Sequence, residues 1–272
     1  MNRKEFLKNS SAVFLLLASG KIVKAGENWM NDAAKRKLKL RFAVASDGHY
    51  GQPKTEYDNF YITAVDNINK AHAVTPFAFC VLNGDIIHNE KKLLVQAKEK
   101  IDRLAMPYYV TKGNHDMVSD DYWNEVWKMP ANHAVVVNKT AIILATTSNE
   151  KGDYLSPDLH WMKEKLEENK GLKNVFIFIH IPQTKWTANA IETPAFAELL
   201  KNYSNVKAVF HGHEHDQDGV KEKDNIPYLF DAHFGGSWGT AYKGFRVVEL
   251  YSDNTIATYI MNPVEKINVA AF

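Results

Sequence analysis

The sequence contains almost no cysteine and almost no excess of charge of either sign. Cys80 is the only cysteine among 272 residues, so no intramolecular disulfide can form and a disulfide-stabilised scaffold is excluded. It lies in the apolar run 77–82, where a buried, inert thiol is expected. The 33 basic and 32 acidic residues nearly cancel, so overall charge does not drive binding to nucleic acid or to a membrane surface. Charged ligands must therefore be recognised locally.

Long hydrophobic runs are also missing, since no stretch approaches the roughly 20 apolar residues of a membrane-spanning helix. Residues 1–25 instead predict a signal peptide: Arg3, Lys4 and Lys8 precede a short apolar core, and residues 23–25 (Val-Lys-Ala) resemble a cleavage site. An amphipathic first helix is the alternative. Lys4 stands where a twin-arginine signal has its second arginine, which leaves the export route open. We expect a periplasmic or secreted protein without stable membrane insertion.

The remaining chain shows no repeat, low-complexity tract or interdomain linker, so residues 38–272 are predicted to form a single domain. Short apolar strands alternate with amphipathic helices from residue 38 onward, which indicates the α/β class. Residues 134–137 and 141–146, joined by Asn138 and Lys139, predict a hairpin and hence some antiparallel pairing. The polar residues 221–225 are interpreted as an ordinary loop.

Polar side chains follow five of the predicted strands. They are Asp47 with His49, Asp85, Asn114 with His115 and Asp116, His180, and His213 with His215. In open α/β sheets ligands gather at the carboxyl ends of strands, so these residues are expected to form one site. Each taken alone also has a structural interpretation, because Gly-Asn-His-Asp suits a turn and a single strand-end histidine is often a satisfied imidazole.

The donor chemistry of this set indicates a transition-metal site. Carboxylate, imidazole and amide donors suit manganese, iron or zinc. The spacing of His213 and His215 after a glycine suits a turn in which two imidazoles converge on adjacent metals, and Asp47 with His49 repeats it. With a single buried cysteine, a structural zinc finger is excluded.

The ordered set Asp-x-His, Gly-Asp, Gly-Asn-His-Asp, a lone His and Gly-His-x-His resembles the calcineurin-like metallophosphoesterases, over about residues 40–215. The resemblance implies a central β-sandwich of mixed sheets flanked by helices, in αββα layers. It also implies that Asp47, His49 and His215 hold one metal ion and that Asn114, His180 and His213 hold a second. Asp85 would bridge both ions. His115 would stabilise the transition state or protonate the leaving group, with Asp116 as its orienting neighbour.

The function implied by the resemblance is that of a binuclear metal-dependent phosphoesterase, with residues 38–272 as its catalytic domain. Such an enzyme hydrolyses a small phosphodiester or phosphomonoester by attack of a metal-activated hydroxide. His88 stands three residues after Asp85, where purple acid phosphatases have a metal-bound tyrosine, so that subgroup is disfavoured. The alternative is a non-catalytic module that binds a phosphate ligand or a protein and keeps a structural metal site. A nuclease is disfavoured because no basic stripe is present.

Residues outside the motifs are candidates for substrate selection. Trp186 and the run 234–242, which contains Trp238, could line the pocket mouth, or they could be core and edge aromatics. Lys112 and Lys185 could contact phosphate, or they could be solvated surface lysines. The partner expected is a small-molecule phosphoester, with no nucleic acid. The substrate, the metal pair and the oligomeric state stay open.

Overall fold

The computed structural model describes residues 13–16, 22–25, 36–262 and 266–271. Of the predicted signal peptide, only two short backbone strands fall inside these ranges, and the rest lies outside the described residues. The strands are β1 Val13–Leu16, β2 Ile22–Ala25, β3 Leu38–Ala45, β4 Phe79–Asn83, β5 Tyr108–Thr111, β6 His133–Val137, β7 Thr140–Ala145, β8 Asn174–Ile179, β9 Val206–His211, β10 Val220–Lys223, β11 Ile226–Phe230, β12 Phe245–Tyr251, β13 Ile256–Met261 and β14 Lys266–Ala271. The helices are α1 Tyr57–Val74, α2 Leu93–Ile101, α3 Asp120–Trp127, α4 Leu159–Glu168 and α5 Pro194–Leu200.

These strands form two mixed sheets within the described ranges. The first has the order β2-β1-β14-β13-β12-β3-β4-β5, and the second has the order β10-β11-β9-β8-β7-β6. Strands β3, β4 and β5 are parallel, and so are β7, β8, β9 and β11. Parallel pairing aligns their carboxyl ends, which positions the polar side chains that follow each strand at one edge.

The alternation of side chains along β3 explains how the layers stack. Phe42 and Val44 point into the core between the two sheets, whereas Ala43 and Ala45 face the helices. Phe42 stacks on Phe79, with ring centroids 4.8 Å apart. Helices α1, α2 and α3 cover the outer face of the first sheet, and α4 and α5 cover that of the second. The layers are therefore α, β, β and α, which confirms the predicted fold class.

Two hairpins show how the local sequence sets the sheet edges. The predicted hairpin is confirmed: β6 and β7 pair antiparallel, and Asn138 and Lys139 both have positive φ, as a tight two-residue turn requires. The interpretation of residues 221–225 as a loop was wrong. Residues 220–223 form β10, and Asp224 and Asn225 make an equivalent turn into β11. Polar side chains on this edge strand hid its strand character.

Candidate metal centre

The predicted site residues follow the carboxyl ends of β3, β4, β5, β8 and β9. The structure brings them together as two buried groups of potential metal ligands, each with one ligand atom per residue within 4.8 Å of the others. The first group is Asp47, His49 and His215, and the second is Asp85, His180 and His213. These are six of the seven residues predicted as metal ligands.

Contacts between the two groups show that they share one pocket. Asp85 Oδ2 lies 3.2 Å from His180 Nε2 and 3.6 Å from His49 Nε2, so it faces a histidine of each predicted metal set. Asp47 Oδ1 lies 3.3 Å from His215 Nε2 and 3.7 Å from His180 Nε2. The carboxylates of Asp47 and Asp85 therefore point into the space between the imidazoles.

Two buried ligand atoms have no hydrogen-bond or ion-pair partner in the described contacts, Asn114 Oδ1 and His213 Nε2, and a third, His180 Nε2, has only the Asp85 carboxylate beside it. Leaving a buried polar atom unpaired costs about 1–3 kcal/mol, so such atoms call for a partner. They belong to the three residues that the resemblance assigns to the second metal ion. The residues present therefore fit a bound metal, because coordination would satisfy the atoms that lack a partner.

Backbone carbonyls orient two of the imidazoles. His180 Nδ1 lies 2.7 Å from the carbonyl oxygen of Asn83, and His215 Nδ1 lies 3.2 Å from that of Trp238. Because a carbonyl only accepts, Nδ1 carries a proton in each ring, and Nε2 is the nitrogen turned towards the carboxylates. This is the usual outer arrangement around a metal-binding histidine.

The electrostatics of the pocket favour a cation. Burial raises the pKa of Asp47, but the imidazoles of His180 and His215 outweigh burial and hold that pKa below its ordinary value. Burial lowers the pKa of His180, yet the charges of Asp85 and Asp47 raise it to about 10. Burial lowers the pKa of His213 to about 4, which keeps its ring neutral. Two ionised carboxylates thus draw positive charge into the pocket.

Backbone conformation at the strand ends is unusual in the same residues. The φ angles are 58° at Asp47, 46° at His49, 51° at Asp85 and 72° at His213. Non-glycine residues rarely adopt this left-handed region, and it concentrates at functional sites. Gly212 allows the close approach of these turns, because a Cβ there would lie 2.0 Å from Ser46 Oγ and 2.7 Å from His180 Nδ1.

His115 borders the clusters, with its ring centroid 4.8 Å from that of His49. Its Nδ1 lies 2.8 Å from Asn89 Oδ1. The hydrogen bonds of Asp116 do not match the orienting role predicted for it. That buried carboxylate accepts hydrogen bonds from the backbone N–H groups of Gly113 and Ile87, each at 2.8 Å, so it braces the loop. Asn89, and not Asp116, is the side chain that hydrogen-bonds the His115 ring in the described contacts.

His88 also contacts the site. In the sequence, only its position three residues after Asp85 pointed to this. His88 Nδ1 lies 3.2 Å from His49 Nδ1, and its ring stacks on His115 with centroids 4.7 Å apart. His49, His88 and His115 form a third group with potential ligand atoms within 4.8 Å. Burial lowers the pKa of His88, which favours a neutral ring that can accept from His49.

Of the residues proposed to select the substrate, Trp238 lies at the clusters, whereas Trp186, Lys112 and Lys185 make other contacts. Trp238 stacks on His215, whereas Trp186 packs against Tyr228 and away from the clusters. Lys112 is buried and binds Asp120, with Nζ 2.8 Å from Oδ1. Lys185 donates to backbone carbonyls of its own loop. Of these four side chains, only that of Trp238 contacts a predicted metal ligand in the described contacts, although the backbone of the run 234–242 also bonds Asp47 and His215.

The fold and site define a two-sheet α/β protein with paired His/Asp clusters at its strand ends. A family model described as calcineurin-like phosphoesterase matches residues 40–217. The chain belongs to this family, which confirms the resemblance. Within the part of the chain that the structure describes, no helix has the length and apolar character needed to cross a bilayer.

A probable glycerophosphodiester phosphodiesterase, GpdQ, from Arcobacter nitrofigilis is 30% identical over 155 residues, which are 50% of this chain and 55% of that protein. The chain thus spans about half the length of this curated relative. A dimetal phosphatase from Danio rerio matches with a TM-score of 0.70 at 14% identity, covering 85% of this chain and 98% of that one. GAP50, described as the anchor in the inner membrane complex of Plasmodium, matches with a TM-score of 0.60 at 17% identity, covering 86% of this chain and 90% of that one. At these identities the two structures show a shared fold.

Proposed function

We propose that this protein is a binuclear metal-dependent phosphodiesterase that hydrolyses a small phosphodiester. The observation that carries the proposal is the convergence of six predicted ligands in two buried groups, beside which Asn114 Oδ1 and His213 Nε2 have no partner. Membership of the calcineurin-like phosphoesterase family supports a phosphoester substrate. The relative named as a probable glycerophosphodiester phosphodiesterase favours a diester over a monoester.

Each predicted ligand has a place in this proposal. Asp47, His49 and His215 would hold one ion, and Asn114, His180 and His213 would hold the other. Asp85 would contact both, since its Oδ2 faces His49 and His180. Two ions held in this way would neutralise charge on the phosphate and supply a nucleophile at neutral pH. Manganese, iron and zinc all suit these donors.

His115 is the candidate proton donor to the departing alkoxide. Asn89 Oδ1 accepts from its Nδ1, which leaves Nε2 as the nitrogen that can carry and release a second proton. The ring is partly exposed and adjoins His49, so a substrate bound at the clusters can reach it. Asp85 Oδ1 accepts from the His115 backbone N–H at 2.8 Å and fixes its position.

The test uses metal-stripped protein refilled with manganese, iron or zinc. We expect two ions per chain, a higher Tm on loading, and hydrolysis of bis-para-nitrophenyl phosphate above that of para-nitrophenyl phosphate. Asn114→Ala should lower the metal content towards one ion and reduce kcat/KM at least about 100-fold. His160→Ala is the matched control, because His160 is highly exposed and contacts only Glu164 in the described ion pairs.

Each outcome separates the hypotheses. Unchanged turnover in Asn114→Ala would contradict the proposed site. Preference for the monoester would indicate a phosphatase. Two bound ions without hydrolysis of either ester would favour the non-catalytic binding module.

A further inference from the structure

Two exposed aromatic side chains lie at the candidate site. Among the described large hydrophobic residues that are well exposed, Trp238 and Tyr154 are the aromatic ones, at 46% and 41% exposure. The others, Val74, Val95, Val136 and Leu155, are aliphatic. Exposed apolar side chains beside a polar cavity are typical of a binding surface. We call Tyr154 and Trp238 the aromatic rim.

Trp238 is held in place through its contact with a predicted metal ligand. Its indole stacks on His215 with centroids 4.4 Å apart and an interplanar angle of 4°, and its carbonyl lies 3.2 Å from His215 Nδ1. His233 also stacks on His215, with centroids 4.9 Å apart. One indole face thus covers His215, while the residue as a whole stays 46% exposed.

Tyr154 likewise contacts a predicted metal ligand, His213 of the second group. Its ring meets His213 edge-on, with centroids 4.8 Å apart and an interplanar angle of 88°. The loop that carries it is fixed, because Leu155 N donates to Thr147 O at 2.8 Å and Asn149 Oδ1 accepts from Lys151 N and Asp153 N. Each cluster therefore has one exposed aromatic ring against it, positioned before a ligand binds.

The loops around the aromatic rim are acidic. Residues 149–155 contain Glu150 and Asp153 against one lysine. Residues 212–219 contain three carboxylates, of which Glu214 is buried, and no lysine or arginine, and residues 233–242 contain no Asp, Glu, Lys or Arg. Asp153 and Asp216 are exposed. This local field disfavours a substrate with additional anionic groups and favours a cation beside the aromatic faces.

We propose that Tyr154 and Trp238 bind an alkylammonium group on the alcohol part of the substrate. The inference rests on the proposed phosphodiesterase function, since it assigns the group attached to the phosphate that the clusters would bind. Aromatic faces attract such cations through the ring quadrupole, and tryptophan does so best. The rim is thus a specificity element, distinct from the predicted metal ligands.

The test compares two glycerol phosphodiesters that differ in charge, glycerophosphocholine and glycerophosphoglycerol. For each variant, both kcat/KM values are measured on the same metal-loaded preparation. Differences in metal loading between variants then cancel in the ratio. We expect Trp238→Leu and Tyr154→Leu each to lower this ratio about fivefold. Trp238→Phe and Tyr154→Phe keep an aromatic face and should retain most of it.

Binding is measured separately by ligand-observed NMR with choline and with its neutral isostere 3,3-dimethylbutanol. Choline should bind at least about fivefold more tightly to the wild type. An unchanged ratio in the leucine variants, or equal binding of the isostere, would overturn the rim assignment. If the metal-loaded wild type hydrolyses neither these diesters nor bis-para-nitrophenyl phosphate, the proposed function fails, and choline binding still decides the role of the rim.

Discussion

The side chain of Asn89 is the closest polar neighbour that the described contacts give to the His115 ring. It lies in an exposed loop after β4, and its Oδ1 is 2.8 Å from His115 Nδ1. Asn89 N also donates to His115 O at 2.9 Å, so backbone and side chain both join the two loops. Asn89 therefore acts as a positioning residue for the candidate proton donor.

Asn89→Ala is expected to lower kcat about tenfold with little change in KM, because His115 loses the acceptor that fixes its tautomer and orientation. Asn89→Asp keeps an acceptor and should restore most of the rate. Asn254→Ala is a matched control, since Asn89 and Asn254 both have φ of 67° and suffer the same backbone strain. A rise in KM at constant kcat would instead place Asn89 in substrate binding.

At the level of elements, the turn after β9 has no spare volume. A Cβ at Gly212 would lie 2.0 Å from Ser46 Oγ and 2.8 Å from Asp47 Oδ2. Ser46 in turn donates to Asp47, and His213 N lies 3.0 Å from Asp47 Oδ2. The turns after β3 and β9 are therefore packed as one unit, so displacing either moves ligands of both clusters.

Gly212→Ala should reduce metal affinity at least about tenfold and lower the Tm, because the added methyl group displaces Asp47 and His180. Gly219→Ala is the control, since a Cβ there meets nothing within 4 Å and neither glycine has a positive φ. Calorimetric metal titration and thermal melts measure both effects. Equal metal affinity in the two variants would contradict the tight packing of the β3 and β9 turns.

Across the whole molecule, a buried polar network joins the two sheets beneath the site. Asp231, which follows β11, lies 3.3 Å from Arg246 Nε on β12 and accepts from Asn83 Nδ2 at 3.0 Å. The Asn83 carbonyl also lies 2.7 Å from His180 Nδ1. Burial raises the pKa of Asp231 to about 7, although Arg246 opposes that shift.

Arg246→Met should destabilise the fold by about 3–5 kcal/mol at pH 8.5, because it leaves a buried carboxylate without its cation. Because its pKa is raised, ionising Asp231 costs the folded state stability, and the attraction to Arg246 offsets part of that cost only above pH about 7, where Asp231 is ionised. The destabilisation should therefore be smaller at pH 5.5. Urea unfolding at both pH values measures the difference, and Asp231→Asn in the Arg246→Met background should remove it.

Local sequence was sufficient for the α/β class and the donor set, whereas the αββα layers were predicted only through the family resemblance. The apolar alternation of β3 marks two buried faces, and Asp47, Asp85 and His180 each follow such a strand. Strand β10 escaped prediction because its side chains are polar and intermediate in burial. Its strand state depends on pairing with β11, which no pattern within residues 220–223 reveals.

The sequence by itself determined which donors are available, because strand periodicity and short motifs are local properties of the chain. Only the tertiary structure decided which groups touch. Asn89 reaches His115 from 26 positions away, and Asp231 reaches Asn83 from 148 positions away. The stacking of Trp238 on His215 likewise joins two loops. Such contacts depend on how strand ends and loops converge in space, and neither residue type nor local spacing specifies that convergence.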